Sequence, residues 1–232
     1  MRYNCKNTYK FGNFYKSLST IMIEKIVEQY ANEHTSEEDK ILYDINRKTH
    51  LEVLRPIMLS GHYQGKFFEM ISYMIQAESI LEIGTYTAYA SICLARGLKE
   101  NGQLITIEHN PELEEIIKNN IEKAGLSNKI KYIIGDAKKI IPSLKNKFDI
   151  VFIDAEKELN QWFYDNILPK VRKNGIIIID NALWYGKVVG KIDSKDKKTQ
   201  AIHKFNKYVM QDKRVENILL TIRDGLMIIR KL

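Results

Sequence analysis

From Ile80 onward the chain repeats one pattern: a short apolar run, then an acidic residue or glycine, then apolar residues at helical spacing. The runs are Ile80–Ile83, Leu104–Ile107, Ile130–Ile134, Phe148–Ile153 and Ile176–Ile179. Asp149 apart, the last two are continuously apolar, as strands are when helices cover both faces, so the pattern dictates an α/β fold built on a mostly parallel sheet. Two further runs, Ile218–Ile222 and Leu226–Ile229, flank Arg223-Asp224-Gly225. That turn sequence predicts a terminal hairpin and an antiparallel pair at the end of the sheet. Within ILEIGTYTAY, residues 80–89, the first strand gives way to a helix. Gly84 permits a tight turn and close approach to a ligand, and the free N–H groups of the following helix suit a carboxylate or phosphate. The spacing Gly84-x-x-x-Ala88 is not the three-glycine dinucleotide fingerprint, and a plain packing turn explains it equally well.

Ahead of the first strand the chain reads helical to about Gln76, with no Gly or Pro between Asn13 and Arg55. Ile21, Ile23, Ile26, Val27 and Tyr30 predict one amphipathic helix, and Ser36 followed by Glu37, Glu38 and Asp39 the capped, acidic start of another. Pro56 and Gly61 make 55–61 irregular, and Gly65–Gln76 is expected to be the helix that delivers the chain to the sheet. Downstream, Asn110-Pro111 starts a helix that Gly125 ends, and a polar, lysine-rich excursion from Tyr185 to Lys198 precedes the last helix. We expect one domain over residues 1–232: an N-terminal helical annex at 1–76 and a Rossmann-like core at 77–232.

With 232 residues, 44% of them hydrophobic, the chain can bury one substantial core. A formal charge of +7 allows an anionic partner, although a solvated, lysine-rich surface accounts for it as well. Cys5 and Cys93 stand far apart without metal-type spacing, and no apolar run is long enough to cross a bilayer. These features lead us to expect a cytoplasmic protein with no membrane partner.

In an open parallel sheet, ligands bind beyond the carboxyl ends of the strands. Four strand ends here carry an acid: Glu108, Asp136, Asp154 and Asp180. Glu108, at the end of the second strand, stands where a carboxylate takes ribose hydroxyls; Asp136 and Ala137 could border an adenine ring. Capping of the next helix would explain any one of these acids, but not Asn181 beside Asp180 nor the acids that end two adjacent strands. Asp154, Asp180 and Asn181 supply three hard oxygen donors of the kind Mg²⁺ prefers. Lys157, one turn past Asp154, can share its face and act as a general base.

The passages RPIMLSGHYQG (55–65), LEIGTYTAYAS (81–91), VFIDAEKELN (151–160) and DNALWYGKVV (180–189) resemble the cation-dependent O-methyltransferases, the caffeoyl-CoA and catechol O-methyltransferase group of the class I S-adenosylmethionine-dependent fold. The resemblance implies a seven-stranded mixed sheet and a homodimer. It places Asp154, Asp180 and Asn181 on the ligands of Mg²⁺, or of Mn²⁺ or Ca²⁺ in its place, and Lys157 on the base. It assigns Met58, Ser60, Glu82, Gly84, Tyr86, Ser91, Glu108, His109, Asp136, Ala137 and Asp154 to the S-adenosylmethionine site, and Trp184 and Tyr185 to the acceptor side. The chain departs from the family at Ala88 (usually Gly), Ala90 (usually Ser, with Ser91 adjacent here), Glu156 (usually Asp) and Asn160 (usually Tyr).

The reading that follows is O-methylation of a vicinal-dihydroxy aromatic small molecule. A second keeps the fold and makes the acceptor a hydroxylated tRNA base, motivated by lysines 187, 191, 195, 197 and 198. A third is a non-catalytic nucleotide-binding module or a Rossmann dehydrogenase, which the glycine spacing and the Asp154, Lys157, Asp180, Asn181 set disfavour.

Overall fold

A computed structural model describes residues 18–232, with side chains from Ile26 onward. Cys5 and the side chains of Ile21 and Ile23 lie outside the described residues. The chain divides between Thr35 and Ser36 into two units. The first contains α1 (Leu18–Glu33), the helix expected from the apolar spacing at 21–30; near its end the Tyr30 and His34 rings stack with centroids 3.8 Å apart.

The second unit, from Ser36 onward, opens with α2 (Lys40–Glu52). Its cap is Asp39 rather than Ser36: the aspartate carboxylate accepts from the N–H groups of Ile41 and Leu42, satisfying two donors that the first turn leaves free. A 3₁₀ turn at Pro56–Met58 follows, and α3 (Gly61–Ile75) begins four residues before the expected Gly65. Gly65 is a packing position, not a boundary. A Cβ there would lie 2.7 Å from Tyr89 Cε1 and 2.9 Å from Cys93 Sγ, so its bare backbone lets α3 lie close against α4 (Tyr89–Arg96).

The sheet has seven strands: β1 (Ser79–Ile83), β2 (Gln103–Glu108), β3 (Ile130–Ile134), β4 (Phe148–Ile153), β5 (Val171–Ile179), β6 (Val215–Leu220) and β7 (Leu226–Lys231). Their order is β3-β2-β1-β4-β5-β7-β6; β1 to β5 are parallel, and β7 runs antiparallel to both β5 and β6. β5 starts five residues before its apolar run, because Arg172, Lys173 and Asn174 pass beyond the covered part of the sheet and are exposed. Between strands lie α5 (Glu114–Lys123), α6 (Ala137–Ser143), α7 (Asn160–Ile167) and α8 (Lys197–Gln211).

The alternation of side chains along each strand divides the core in two. Ile80, Ile150, Phe152, Ile176 and Ile178 enter one buried cluster with Phe68 of α3 and Ile92 of α4. Leu81, Ile83, Val151, Ile153, Ile177 and Ile179 enter the other, with Phe163 and Tyr164 of α7 and Phe205 of α8. Phe68 meets Phe152 at a centroid distance of 4.6 Å, and Tyr164 meets Phe205 edge-on at 5.8 Å. Helices on both faces explain why the central strands carry no polar alternation.

At the C-terminal end of β1, Gly84 has φ +98°, and a Cβ built on it would fall 2.1 Å from the carbonyl oxygen of Asp154. The close approach inferred from sequence is thus to the backbone leaving β4. Gly84→Ala combines a left-handed alanine with a backbone clash and is expected to cost about 3 kcal/mol or more in denaturant unfolding. Gly186→Ala is the control: φ is +73° there but nothing lies within 4 Å, so the expected cost is about 1 kcal/mol.

Candidate active site

β1 lies between β2 and β4, so the chain winds outward from it in both directions and the crevice opens at the C-terminal ends of β1 and β4. A small cleft lies there, lined by Met58, Leu59, Ser60, Gly84, Thr85, Tyr86, Tyr89, Ala90, Phe152 and Asp154. The loop from Gly84 to Ala88 forms one wall. Tyr86 (φ +52°) donates its N–H to Glu108 Oε2 at 2.8 Å, and its hydroxyl to the carbonyls of Leu54 at 3.1 Å and Arg55 at 3.3 Å. Ala88, with φ +66°, holds the left-handed conformation that the usual glycine would adopt freely, and no side chain caps the α4 terminus it begins.

Beneath this loop Glu82 is fully buried on β1. Its Oε2 accepts from the Ser91 and Thr106 hydroxyls, the latter at 2.6 Å, while Oε1 has no hydrogen-bond partner. Burial pushes its pKa up to about 8 against the pull of those two hydroxyls, and the charges of Asp154 and Glu108 push the same way. Ser91 therefore serves the Glu82 carboxylate below the cleft. Glu108 at the tip of β2 also accepts the Asn110 N–H at 2.8 Å.

The oxygen set gathers at the tips of β4 and β5. Asp154 Oδ1 accepts from Lys157 Nζ at 2.6 Å, from a lysine only 8% exposed. Asp180, also buried, accepts the Asn181 N–H on Oδ1 at 2.7 Å and Gln64 Nε2 of α3 on Oδ2 at 3.0 Å. Burial first and the charge of Asp154 second raise the Asp180 pKa to about 6, so two carboxylates repel each other here with Lys157 and Gln64 opposing. Asn181 donates its amide nitrogen to Asp224 at 3.0 Å, which leaves the amide oxygen as its free end. Among the described residues no three His, Cys, Asp or Glu side chains form a metal-type cluster. Two mutually repelling carboxylates with an amide side chain next to one of them in sequence are a donor chemistry that a hard divalent cation fits.

Other expected site residues stand apart from this set. Asp136 caps α6 through the Lys138 N–H at 2.8 Å, the role that capping alone would give it. His109 and Tyr185 are exposed, and Ala137 is half-buried at the start of α6. Trp184 is half-buried, 5.4 Å from the Tyr185 ring, with Lys198 Nζ 5.7 Å from its own centroid. Of the loop lysines, Lys187 pairs with Asp196 at 3.6 Å and Lys198 with Glu158 at 3.7 Å. Asn160 begins α7 buried, with Oδ1 unpartnered, and Glu156 is exposed. Gln64, Thr106 and Asp224 were not singled out from sequence. Gln64 stands inside one of the motif passages, and Asp224 reads locally as a turn residue.

A family model described as O-methyltransferase matches residues 32–232. The chain belongs to the O-methyltransferase family. The catechol O-methyltransferase of Niastella koreensis is 31% identical over 198 residues, covering 84% of this chain and 89% of that protein. The caffeoyl-CoA O-methyltransferase of Populus kitakamiensis is 32% identical over 179 residues, 73% of this chain and 76% of the relative. The solved O-methyltransferase from Bacillus cereus in complex with SAH superposes with a TM-score of 0.83 at 29% identity, covering 91% of this chain and 100% of that one. Family membership sets aside the dehydrogenase and the inactive module.

Because Glu82 binds its proton more tightly folded than unfolded, the stability it contributes is complete below about pH 4.5 and is lost as pH rises through about 8. Asp180 acts in the same direction, its share lost through about pH 6. The melting temperature of the ligand-free O-methyltransferase is therefore expected to fall between pH 6 and 8, and Glu82→Gln to flatten that fall in a thermal-shift series. An unchanged slope in the variant would count against a protonated Glu82.

Proposed function

We propose that the chain is an S-adenosylmethionine-dependent, divalent-cation-dependent O-methyltransferase acting on a vicinal-dihydroxy aromatic small molecule of the catechol or hydroxycinnamoyl-CoA type. The observation that carries this reading is the meeting of Asp154, Lys157, Asp180 and Asn181 at two adjacent strand tips, beside a cleft bordered by Gly84 and Tyr86. The names of the relatives support the acceptor class, and the SAH complex of the Bacillus cereus enzyme supports the cofactor.

In this reading the uncapped terminus of α4 receives the cofactor carboxylate, Glu108 the ribose hydroxyls, and Met58 and Ser60 close over the methionine end. His109, Asp136 and Ala137 border the base. Asp154, Asp180 and Asn181 would hold Mg²⁺, or Mn²⁺ or Ca²⁺. When bound, the cofactor offers an electrophilic methyl group and the cation a Lewis acid that eases ionisation of a hydroxyl. Lys157 Nζ takes the acceptor's proton, and its bond to Asp154 holds the amine at the tip of β4. Trp184 and Tyr185 form the aromatic wall that orients the ring and excludes water.

Two supporting placements belong to the same reading. A free, buried Cys93 suits a reducing cytoplasm, and no helix among the described residues is long and apolar enough to cross a membrane. Exposed Leu51, Leu54 and Ile57 leave apolar surface for a homodimer, which light scattering would register as twice the chain mass.

The test is a methyl-transfer screen over catechols, hydroxycinnamoyl-CoA esters, flavonoids and total tRNA, with and without EDTA. Turnover of a catechol-type acceptor that stops on chelation is expected; full activity in EDTA, or methylation of tRNA alone, would overturn this reading. Lys157→Ala is expected to lower kcat by about 10²–10⁴-fold while cofactor affinity, measured by calorimetry with SAH, stays near wild type.

A further inference from the structure

The turn between β6 and β7 lies far in sequence from the strand tips that carry the acids, yet it holds the segment that follows β5. Asn181, Trp184 and Tyr185 have φ of +59°, +49° and +55°, a left-handed conformation that is costly for residues with a Cβ and persists only where neighbours enforce it. The turn supplies that enforcement. The Ala182 N–H donates to the Gly225 carbonyl at 2.9 Å, the Leu183 N–H to the Asp224 carbonyl at 2.9 Å, and the Tyr185 N–H to Asp224 Oδ1. Asp224 Oδ2 takes the Asn181 amide nitrogen at 3.0 Å. Arg223, beside Asp224 in the same turn, donates to the carbonyls of Leu59, at 2.7 Å, and Ser60, two residues that line the cleft.

An amide side chain is ambiguous: turned one way it presents an oxygen, turned the other a nitrogen that no cation accepts. An ionised carboxylate removes the ambiguity, because it can only accept. We propose that Asp224 is a positioning residue that compels Asn181 to face it with nitrogen and so to keep its oxygen for the Asp154 and Asp180 set. This inference rests on the cation reading above and adds to it the group that makes Asn181 a ligand. Each oxygen donor then has a side-chain partner: the neighbouring Lys157 for Asp154, and, from distant parts of the chain, Gln64 for Asp180 and Asp224 for Asn181.

The experiment measures Mn²⁺ binding by electron paramagnetic resonance, with no substrate present, alongside thermal melting. In Asp224→Asn the oxygen of the new amide is kept by the Tyr185 N–H, its nitrogen faces Asn181, and the Asn181 amide turns over. Mn²⁺ affinity is expected to fall by about 10–100-fold. Asp224→Ala removes the acceptor without adding a donor and is expected to weaken Mn²⁺ less. The exchanged pair, Asn181→Asp with Asp224→Asn, remakes the contact in reverse, presents an oxygen again and is expected to regain binding. Wild-type affinity in Asp224→Asn, a larger loss in Asp224→Ala, or no recovery in the exchanged pair each overturns the orienting role while leaving the cation reading intact. Absence of Mn²⁺ binding in the wild-type protein would sink both. Should Asp224→Asn fail to fold, Asp224→Ala decides: Mn²⁺ affinity below wild type supports the proposal and wild-type affinity overturns it.

Discussion

The site depends on how closely the ends of β1 and β4 approach. Gly84 lacks a Cβ, and the Asp154 carbonyl lies where one would stand. That contact fixes the point at which both strands release their chains, so it sets the floor of the cleft and the origin of the Asp154 side chain together. Parallel neighbours make such a junction possible, because their carboxyl ends emerge on the same edge. The two-faced core behind them, with Phe152 against Phe68 on one side and Val151 and Ile153 on the other, leaves the strand tips little room to shift.

With the tips in place, electrostatics works against the fold. Glu82, Asp154 and Asp180 crowd together beneath or beside one cleft, Glu82 and Asp180 deeply buried, and the charge of Asp154 adds to burial in raising the proton affinity of the other two. Buried carboxylates that oppose one another lower stability unless protons, amides or cations answer them. Part of the answer lies in the chain: Lys157 on Asp154, Gln64 on Asp180, and the Ser91 and Thr106 hydroxyls on Glu82. The rest is left open, as the unpartnered Glu82 Oε1 and the elevated Asp180 pKa record. Such tension between buried carboxylates beside a cleft is what the proposed cation would relieve.

Departures from the family pattern change support rather than chemistry. Ala88 takes a glycine's conformation at the head of α4, and Ser91, whose hydroxyl sequence alone would send to the ligand, is drawn down to Glu82. Asn160 buries a polar atom without a partner at the start of α7. The acids at the tips of β4 and β5 and their lysine are untouched by these changes.

Much of this was legible in the residues themselves. Strand identity and the terminal hairpin followed from periodicity and turn chemistry, both local properties of the backbone. The pairing of Lys157 with Asp154 followed from a spacing of three, and the adjacency of Asp180 and Asn181 is covalent. What required the folded chain was everything that joins distant elements. Gly65 looked like a helix boundary and is a contact between α3 and α4; Gln64 and Asp224 carried no local signal, yet each grips a residue of the tip of β5. Local geometry determines which segments become strands and where their acids fall. Which partner each acid receives is a matter of tertiary packing, because hydrogen bonds between residues 116 apart in sequence exist only once the sheet has brought them within 3 Å.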